Sequence, residues 1–382
     1  MKANATLLHV FPSFAVGGSQ MRFAALANHF GGRFRHAIVA MDGRTDCLAN
    51  LRACLDIDLP KVTLRRRDTL GNVRRFRALL RRMKPSLLVT YNWGSIECAM
   101  ANWPGLTQHI HIEDGFGSEE AQRQLTRRVL TRRLVLAHST VVLPSRTLYK
   151  LAAESWKLNP AHLRHVPNGI DCARFGAPGI APFDWRGEGP IVGTVAALRP
   201  EKNVMRLVEA FHRVRAKIQC RLLIAGDGLE RAALEERVAA LGLKDAVKFA
   251  GHVTETERVY AALSVFALSS DTEQMPVTVL EAMATGLPIA ATQVGDVAEM
   301  VAAGNLPFLT PPDAGALGRA ILRLLENPVA AASVGAANRA VARETYGQDR
   351  MFAAYEGLFC GKPLETGRAG GMMKRLNTGG AP

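Results

Sequence analysis

Two glutamates, Glu273 and Glu281, frame the most informative stretch of the chain, SSDTEQMPVTVLEAMATGLPIAATQVGDVAEMV. Glu273 falls in a loop after the strand-like run VFALSS. Pro276 suits the first turn of a helix, where its missing N–H costs nothing. Glu281 then lies within the first two turns of that helix. One carboxylate is on the loop and the other on the helix behind it. Both would face a ligand held at the helix N-terminus, where free N–H groups and the helix dipole favour phosphate. A carboxylate is also a natural acceptor for two vicinal hydroxyls of a ribose or hexose. Spacing alone fits a solvated loop and helix equally well.

Further residue sets could do related chemistry. In GTVAALRPEKNV, Arg199 and Lys202 follow a strand and could neutralise a diphosphate. Gly17 and Gly18 follow the first strand-like run and would let a phosphate approach the backbone at a helix start. Turns use the same pair. His111, Glu113 and Asp114 cluster where the strand-like HIHIE ends. Acid–base work on an acceptor hydroxyl needs such a group, and a strand-end turn over a core histidine is the alternative. The triplet Asp56-Ile57-Asp58 has metal-binding form but precedes Leu59-Pro60 and reads as a solvated strand edge, so no metal site is expected.

The elements around these residues alternate. TLLHVF, HAIVAM, SLLVTY, HIHIE and STVVLPS read as strands, with helices over 22–30, 73–83 and 121–136. The Gly- and Pro-rich stretch NGIDCARFGAPGIAPFDWRGEGP lacks periodicity and reads as a linker. Alternation then restarts with IVGTVAAL, CRLLIAG, VKFAG, VFALSS and PIAAT, and with helices over 204–217 and 229–241. This is the pattern of an α/β chain with parallel sheets. It predicts two Rossmann-like domains, over residues 1–170 and 191–345, joined by a linker over 171–190. Ligands would bind at the strand C-termini facing the cleft. The composition of residues 361–382 predicts a disordered tail.

The string around the glutamates resembles the signature of family 4 retaining glycosyltransferases, which have the GT-B fold. Ser269, Glu273, Pro276, Glu281, Ala282, Met283, Ala284, Gly286, Pro288, Thr292, Val294, Gly295 and Glu299 occur in the family's order. The resemblance runs from about Leu7 to Leu358 and is strongest over Gly193–Val301. It implies that Glu273 contacts the transferred sugar and that Glu281 holds the nucleotide ribose. It gives Lys202 to the diphosphate. The family's arginine falls on Ala197 here, which leaves Arg199, two residues on, as the expected substitute. It places Gly17 and Gly18 against the diphosphate from across the cleft, and the segment of His111 and Asp114 near the reacting centre. It also implies a C-terminal helix, residues 346–360, returning to the first domain. Gln274 departs from the family's usual glycine. No cofactor is implied beyond the nucleotide-diphosphate sugar, which is the donor substrate, and no metal.

Composition bounds the rest. The 382 residues carry a net charge of +14. Residues 1–170 hold 25 Lys and Arg against 11 Asp and Glu, whereas residues 171–382 hold 23 of each. The entire excess lies in the first half, pointing to an anionic membrane surface or a polyanion. Arg74, Arg75, Arg77, Arg81, Arg82 and Lys84 surround Val73, Phe76, Leu79 and Leu80 in one segment, and RQLTRRVLTRRL repeats the theme. Such helices lie on anionic membranes, or are ordinary arginine-rich solvated helices. No apolar run spans a bilayer, the N-terminus lacks a signal-peptide pattern, and the six cysteines form no Cys-x-x-Cys pair. These point to the cytoplasm, with peripheral association at the inner face of the membrane. The expected partners are a nucleotide sugar and a glycan or lipid-linked acceptor. A nucleotide-sugar 2-epimerase of the same fold is the nearest alternative. Nucleic-acid binding is disfavoured, because aromatics are 6% of the chain and do not interleave with the basic runs.

Overall fold

The computed structural model describes residues 5–116, 120 and 124–361. The expected tail and part of the predicted helix 121–136 lie outside the described residues. Two parallel sheets organise the chain. The first contains β1 (Ala5–Phe11), β2 (Phe34–Ala40), β3 (Ile57–Asp58), β4 (Leu87–Tyr91), β5 (His109–Ile112), β6 (Thr140–Leu143) and β7 (Leu163–His165), ordered β3-β2-β1-β4-β5-β6-β7. Its helices are α1 (Gly18–Phe30), α2 (Thr69–Met83), α3 (Ile96–Asn102), α4 (Thr126–Val135) and α5 (Arg146–Glu154). After the short α6 (Cys172–Phe175), residues 176–190 form neither helix nor strand.

The second sheet contains β8 (Ile191–Val195), β9 (Arg221–Ala225), β10 (Val247–Gly251), β11 (Val265–Leu268), β12 (Ile289–Thr292) and β13 (Leu309–Thr310), ordered β10-β9-β8-β11-β12-β13. Its helices are α7 (Val204–Arg215), α8 (Arg231–Ala240), α9 (Thr256–Ala262), α10 (Val277–Thr285), α11 (Val297–Met300), α12 (Ala314–Glu326) and α13 (Pro328–Tyr346). The central strands are buried on both faces, which explains their continuous apolar runs. In each sheet the order reverses beside the first strand, β1 or β8, and opens a crevice at the strand C-termini.

The last helix, α14 (Gln348–Cys360), leaves the second domain. Its Met351, Phe352, Tyr355, Leu358 and Phe359 join one core with Phe11, Phe23 and Phe34 of the first domain. The stretch after α6 belongs to the second domain, since Phe183 and Trp185 pack against its core and Arg221 stacks 4.9 Å from the Trp185 ring.

The amphipathic reading of α2 needs correction. Phe76, Leu79 and Leu80 are buried against Leu8, Val10 and Leu88, with Val73 packed beside them. The apolar stripe belongs to the protein core, and of the six basic residues around it Arg74, Arg81, Arg82 and Lys84 face solvent fully, with Leu70 of the first turn 75% exposed. On α4 the outcome is mixed. Arg132 is buried, bonded to Glu113 and Glu120, and its guanidinium lies about 5 Å from the rings of Trp93, Phe116 and Trp156. Leu130 and Leu134 are 52% and 70% exposed beside the exposed Arg127 and Arg133.

Candidate active site

A cleft of about 650 Å³ lies between the domains, a size suited to a nucleotide-sized ligand. Gly17, Gly18 and Arg22 line it from the first domain. Ala197, Gly226, His252, Thr278 and Glu281 line it from the second, and Asn168 and Arg174 from the crossing between them.

Two helix N-termini meet there. No side chain caps the start of α1 or of α10, so their first N–H groups are unspent and available to an anion. A Cβ at Gly18 would meet no protein atom within 4 Å, because the space it would fill is the cleft. Pro276 stands at the N-cap of α10, one position before the first helical residue, and sets the chain's entry into it.

Glu281 sits one turn into α10 and is half-buried at the cleft wall. Tyr260 Oη donates to its Oε2 at 2.6 Å. Burial pushes its carboxyl up to about 7, against the Tyr260 hydrogen bond that holds it down. Without a ligand, this carboxylate has desolvation to bear and one donor to offset it.

Glu273 and Lys202 bond to each other, Nζ to Oε1 at 2.6 Å, and Ser270 Oγ also donates to Glu273 at 2.7 Å. The loop holding Glu273 is pressed onto Gly295, whose φ is +52°. A Cβ at Gly295 would stand 2.4 Å from the Glu273 carbonyl oxygen, so only glycine fits. Gln274, the departure from the family string, accepts from Ser145 Oγ of the first domain at 3.3 Å.

Other expected residues are placed differently. Arg199 is 57% exposed and paired with Glu201 at 3.1 Å, while Ala197 lines the cleft wall. The short 3-10 turn Pro200–Lys202 starts beyond Arg199, which leaves that side chain outside. His111 is fully buried on the interior strand β5, bonded through Nδ1 to Thr90 Oγ1 at 2.8 Å, and does not line the cleft. An acceptor hydroxyl has no path to it. Asp114 does not line the cleft either, but both its oxygens are engaged by Arg22, which does, at 2.5 and 2.8 Å, so its surroundings suit orientation better than proton transfer. Asp56 pairs with Arg35 at the outer edge of the first sheet. Among the described residues no group of three or more His, Cys, Asp or Glu is placed to hold a metal ion.

Sequence reasoning missed Arg22, Asn168, Arg174 and Asp296. Arg22 had a signal: it lies four residues after Gly18, on the same helix face. Asp296 is 5% exposed and accepts from Arg146 N, Thr147 N and Thr147 Oγ1, at 2.5, 3.1 and 2.6 Å. A carboxylate of the second domain thus caps α5 of the first.

Two parallel α/β domains closing on such a cleft define a GT-B protein. The Anabaena protein Alr3699/HepE, in a structure with UDP and glucose, matches 94% of this chain and 100% of its own, with TM-score 0.79 and 19% identity. A model of glycosyl transferases group 1 matches residues 189–327, and one of glycosyltransferase family 4 matches residues 16–174. The chain belongs to this family. N-acetyl-alpha-D-glucosaminyl L-malate synthase of Bacillus anthracis is 26% identical over 166 residues, 43% of this chain and 44% of that protein. A GDP-mannose-dependent monoacylated alpha-(1-6)-phosphatidylinositol monomannoside mannosyltransferase of Corynebacterium glutamicum is 29% identical over 195 residues, 46% and 50%. The chain thus aligns with half or less of the length of these two relatives.

Proposed function

We propose that this protein moves a hexose from a nucleotide-diphosphate sugar to an acceptor hydroxyl, with retention of configuration and without a metal. One observation carries the reading. Glu281, a half-buried carboxylate with one hydrogen-bond donor, shares a cleft with the uncapped N-termini of α1 and α10. That combination suits a ribose diol joined to a diphosphate. The family membership and the UDP in the HepE structure point the same way.

The chain's residues would divide the work. Glu281 accepts from the ribose hydroxyls. The α1 and α10 termini and Lys202 carry the charge of the departing diphosphate. The bound donor draws Lys202 partly from Glu273, which is then free to take a hydroxyl of the sugar. Thermal shift with UDP, GDP and their hexose conjugates tests this directly, since a ligand of the folded state raises Tm. If none raises Tm, the donor reading is wrong. Excess EDTA should leave transfer intact, and the product anomer, read by NMR, should match that of the donor.

For the acceptor, the reading is a lipid-linked or cell-envelope glycan precursor met at an anionic membrane face in the cytoplasm. Leu130 and Leu134 stand exposed beside Arg127 and Arg133, and the outward arginines of α2 add charge. No helix among the described residues is long and apolar enough to cross a membrane. The relative acting on a phosphatidylinositol mannoside supports a lipid acceptor. Flotation with anionic liposomes at low salt should carry the protein up, and Leu130→Ser with Leu134→Ser should abolish it. Sedimentation of the unaltered protein would leave a soluble acceptor.

A further inference from the structure

The first-domain wall of the cleft is organised by a single guanidinium. Arg22 is 8% exposed although it lines the cleft. Its Nη1 donates to Asp114 Oδ1 at 2.5 Å and to Asn168 Oδ1 at 2.8 Å, and its Nη2 donates to Asp114 Oδ2 at 2.8 Å. Asn168 passes the connection on. Its Nδ2 donates to the Met275 carbonyl at 3.0 Å, and its backbone N–H meets Met275 Sδ at 3.3 Å. Met275 lies between Glu273 and α10, within the loop that carries the sugar-side carboxylate.

One charged fork therefore joins three segments distant in sequence. They are the loop after β5, the chain crossing between domains, and the donor loop. The first-domain end is itself fixed, because Asp114 N–H donates to Asn92 Oδ1 at 2.7 Å. The next residue reinforces the junction, since a Cβ at Gly115 would come within 3.1 Å of Gln274 Cγ. The two loops thus meet directly at Gly115 and Gln274, beside the chain of bonds through Arg22 and Asn168. Behind them, Asp296 N–H donates to the Gln274 carbonyl at 2.8 Å while its carboxylate caps α5. The donor loop is thus held from both flanks by contacts that cross the cleft.

A lysine could not replace this fork. It presents a point charge, whereas the planar guanidinium matches the carboxylate bidentately and still reaches the asparagine. A buried charge tolerates little loss of partners, so the geometry around Arg22 is set narrowly.

We propose that Arg22 is a positioning residue of the transfer reaction. It fixes Asp114 on the acceptor side and, through Asn168, the backbone of Met275 on the donor side, so that the walls of the cleft keep one spacing while two substrates are bound. The mechanical coupling stands on the contacts themselves, and its catalytic meaning rests on the function proposed above.

Hydrogen exchange of the ligand-free full chain separates the two. Arg22→Lys should accelerate exchange about tenfold in segments 113–116 and 272–276 together, leaving α2 unchanged. A merely local role would loosen α1 and 113–116 alone, and that result overturns the proposal. Asn168→Leu keeps a test available if Arg22→Lys fails to fold. It should loosen 272–276 while 113–116 stays protected, and an unchanged 272–276 overturns the coupling. With UDP-glucose and GDP-mannose as donor probes, both variants should lower kcat about tenfold with donor KM nearly unchanged, as expected when geometry rather than binding is lost. An unchanged kcat overturns the catalytic role. If the wild type binds neither probe, the donor assignment falls, and the exchange result still decides the coupling.

Discussion

The two walls of the cleft are built on different plans. The second-domain side is local: one strand, one loop and one helix place Glu273, Pro276 and Glu281, the residues of the proposed donor site, within nine residues of chain. The first-domain wall is assembled from afar, with Arg22 bonded to Asp114 and Asn168, 92 and 146 positions away. A phosphate and a ribose are small and constant, so one strand–loop–helix unit can hold them. An acceptor must be held at a set distance from that unit, and only contacts between distant segments can fix such a distance.

The largest test of this contrast is Glu281→Ala. Removing the carboxylate takes the proposed acceptor from the ribose hydroxyls and leaves Tyr260 Oη only its longer bond to the Thr278 carbonyl, at 3.3 Å. We expect nucleoside diphosphate binding to weaken by at least about 2 kcal/mol, or roughly 30-fold, as for a charged hydrogen bond lost in a buried site. Calorimetric titration reads this directly. Wild-type affinity in the variant would remove Glu281 from the donor site.

Asp296→Ala acts on the junction between the walls. It strips three hydrogen bonds from the start of α5, two of them backbone N–H groups. Loss of such a cap costs about 1–2 kcal/mol. The Tm should fall by several degrees, with nucleotide affinity close to wild type. An unchanged Tm would mean that the domains do not depend on this cap.

How much was legible follows the same division. The strand–helix alternation showed in the sequence because interior parallel strands are apolar throughout. Edge strands β7 and β13, three and two residues long, carry no such run and were missed as strands, whereas β3 lies where Asp56-Ile57-Asp58 reads as a solvated strand edge. Glu281 stood out because its whole neighbourhood is contiguous. Asn168 could not, since an asparagine in a Gly- and Pro-rich linker looks like any turn residue until Met275 is folded against it. The apolar residues of α2 misled for a related reason: helical periodicity shows that a face is apolar, but not whether core or membrane covers it.

The ionisation of Glu281 gives a pH test of the second-domain wall. Its folded-state value of about 7 exceeds that of an ordinary carboxyl, so the native apo protein holds the proton more tightly than the unfolded chain. Its contribution to stability is complete below the usual carboxylate range and is lost as pH rises through about 7. Ligand affinity runs the other way, because the ribose hydroxyls need the ionised form. Nucleotide affinity should fall as pH drops below about 7, approaching about tenfold per pH unit. Glu281→Gln should flatten this profile, and a profile unchanged by that substitution would assign the pH dependence to another group.

The smallest expected effect concerns Arg199 and sharpens the reading of the cation beside the diphosphate. Arg199 and Lys202 stand three residues apart and are equally basic, yet their surroundings differ. Arg199 is more than half exposed and answers Glu201, an exposed pairing of the kind worth about 0–1 kcal/mol. Lys202 is 21% exposed and answers Glu273, which is 10% exposed, on the loop of the proposed donor site. Arg199→Ala should therefore leave nucleoside diphosphate affinity within about twofold of wild type, as for a screened surface charge. Lys202→Ala should weaken it about tenfold or more, the scale of one charge-assisted contact to phosphate. Equal losses in the two variants would show that the loop 197–203 rearranges around the donor and brings Arg199 into the cleft, where Ala197 now forms the wall.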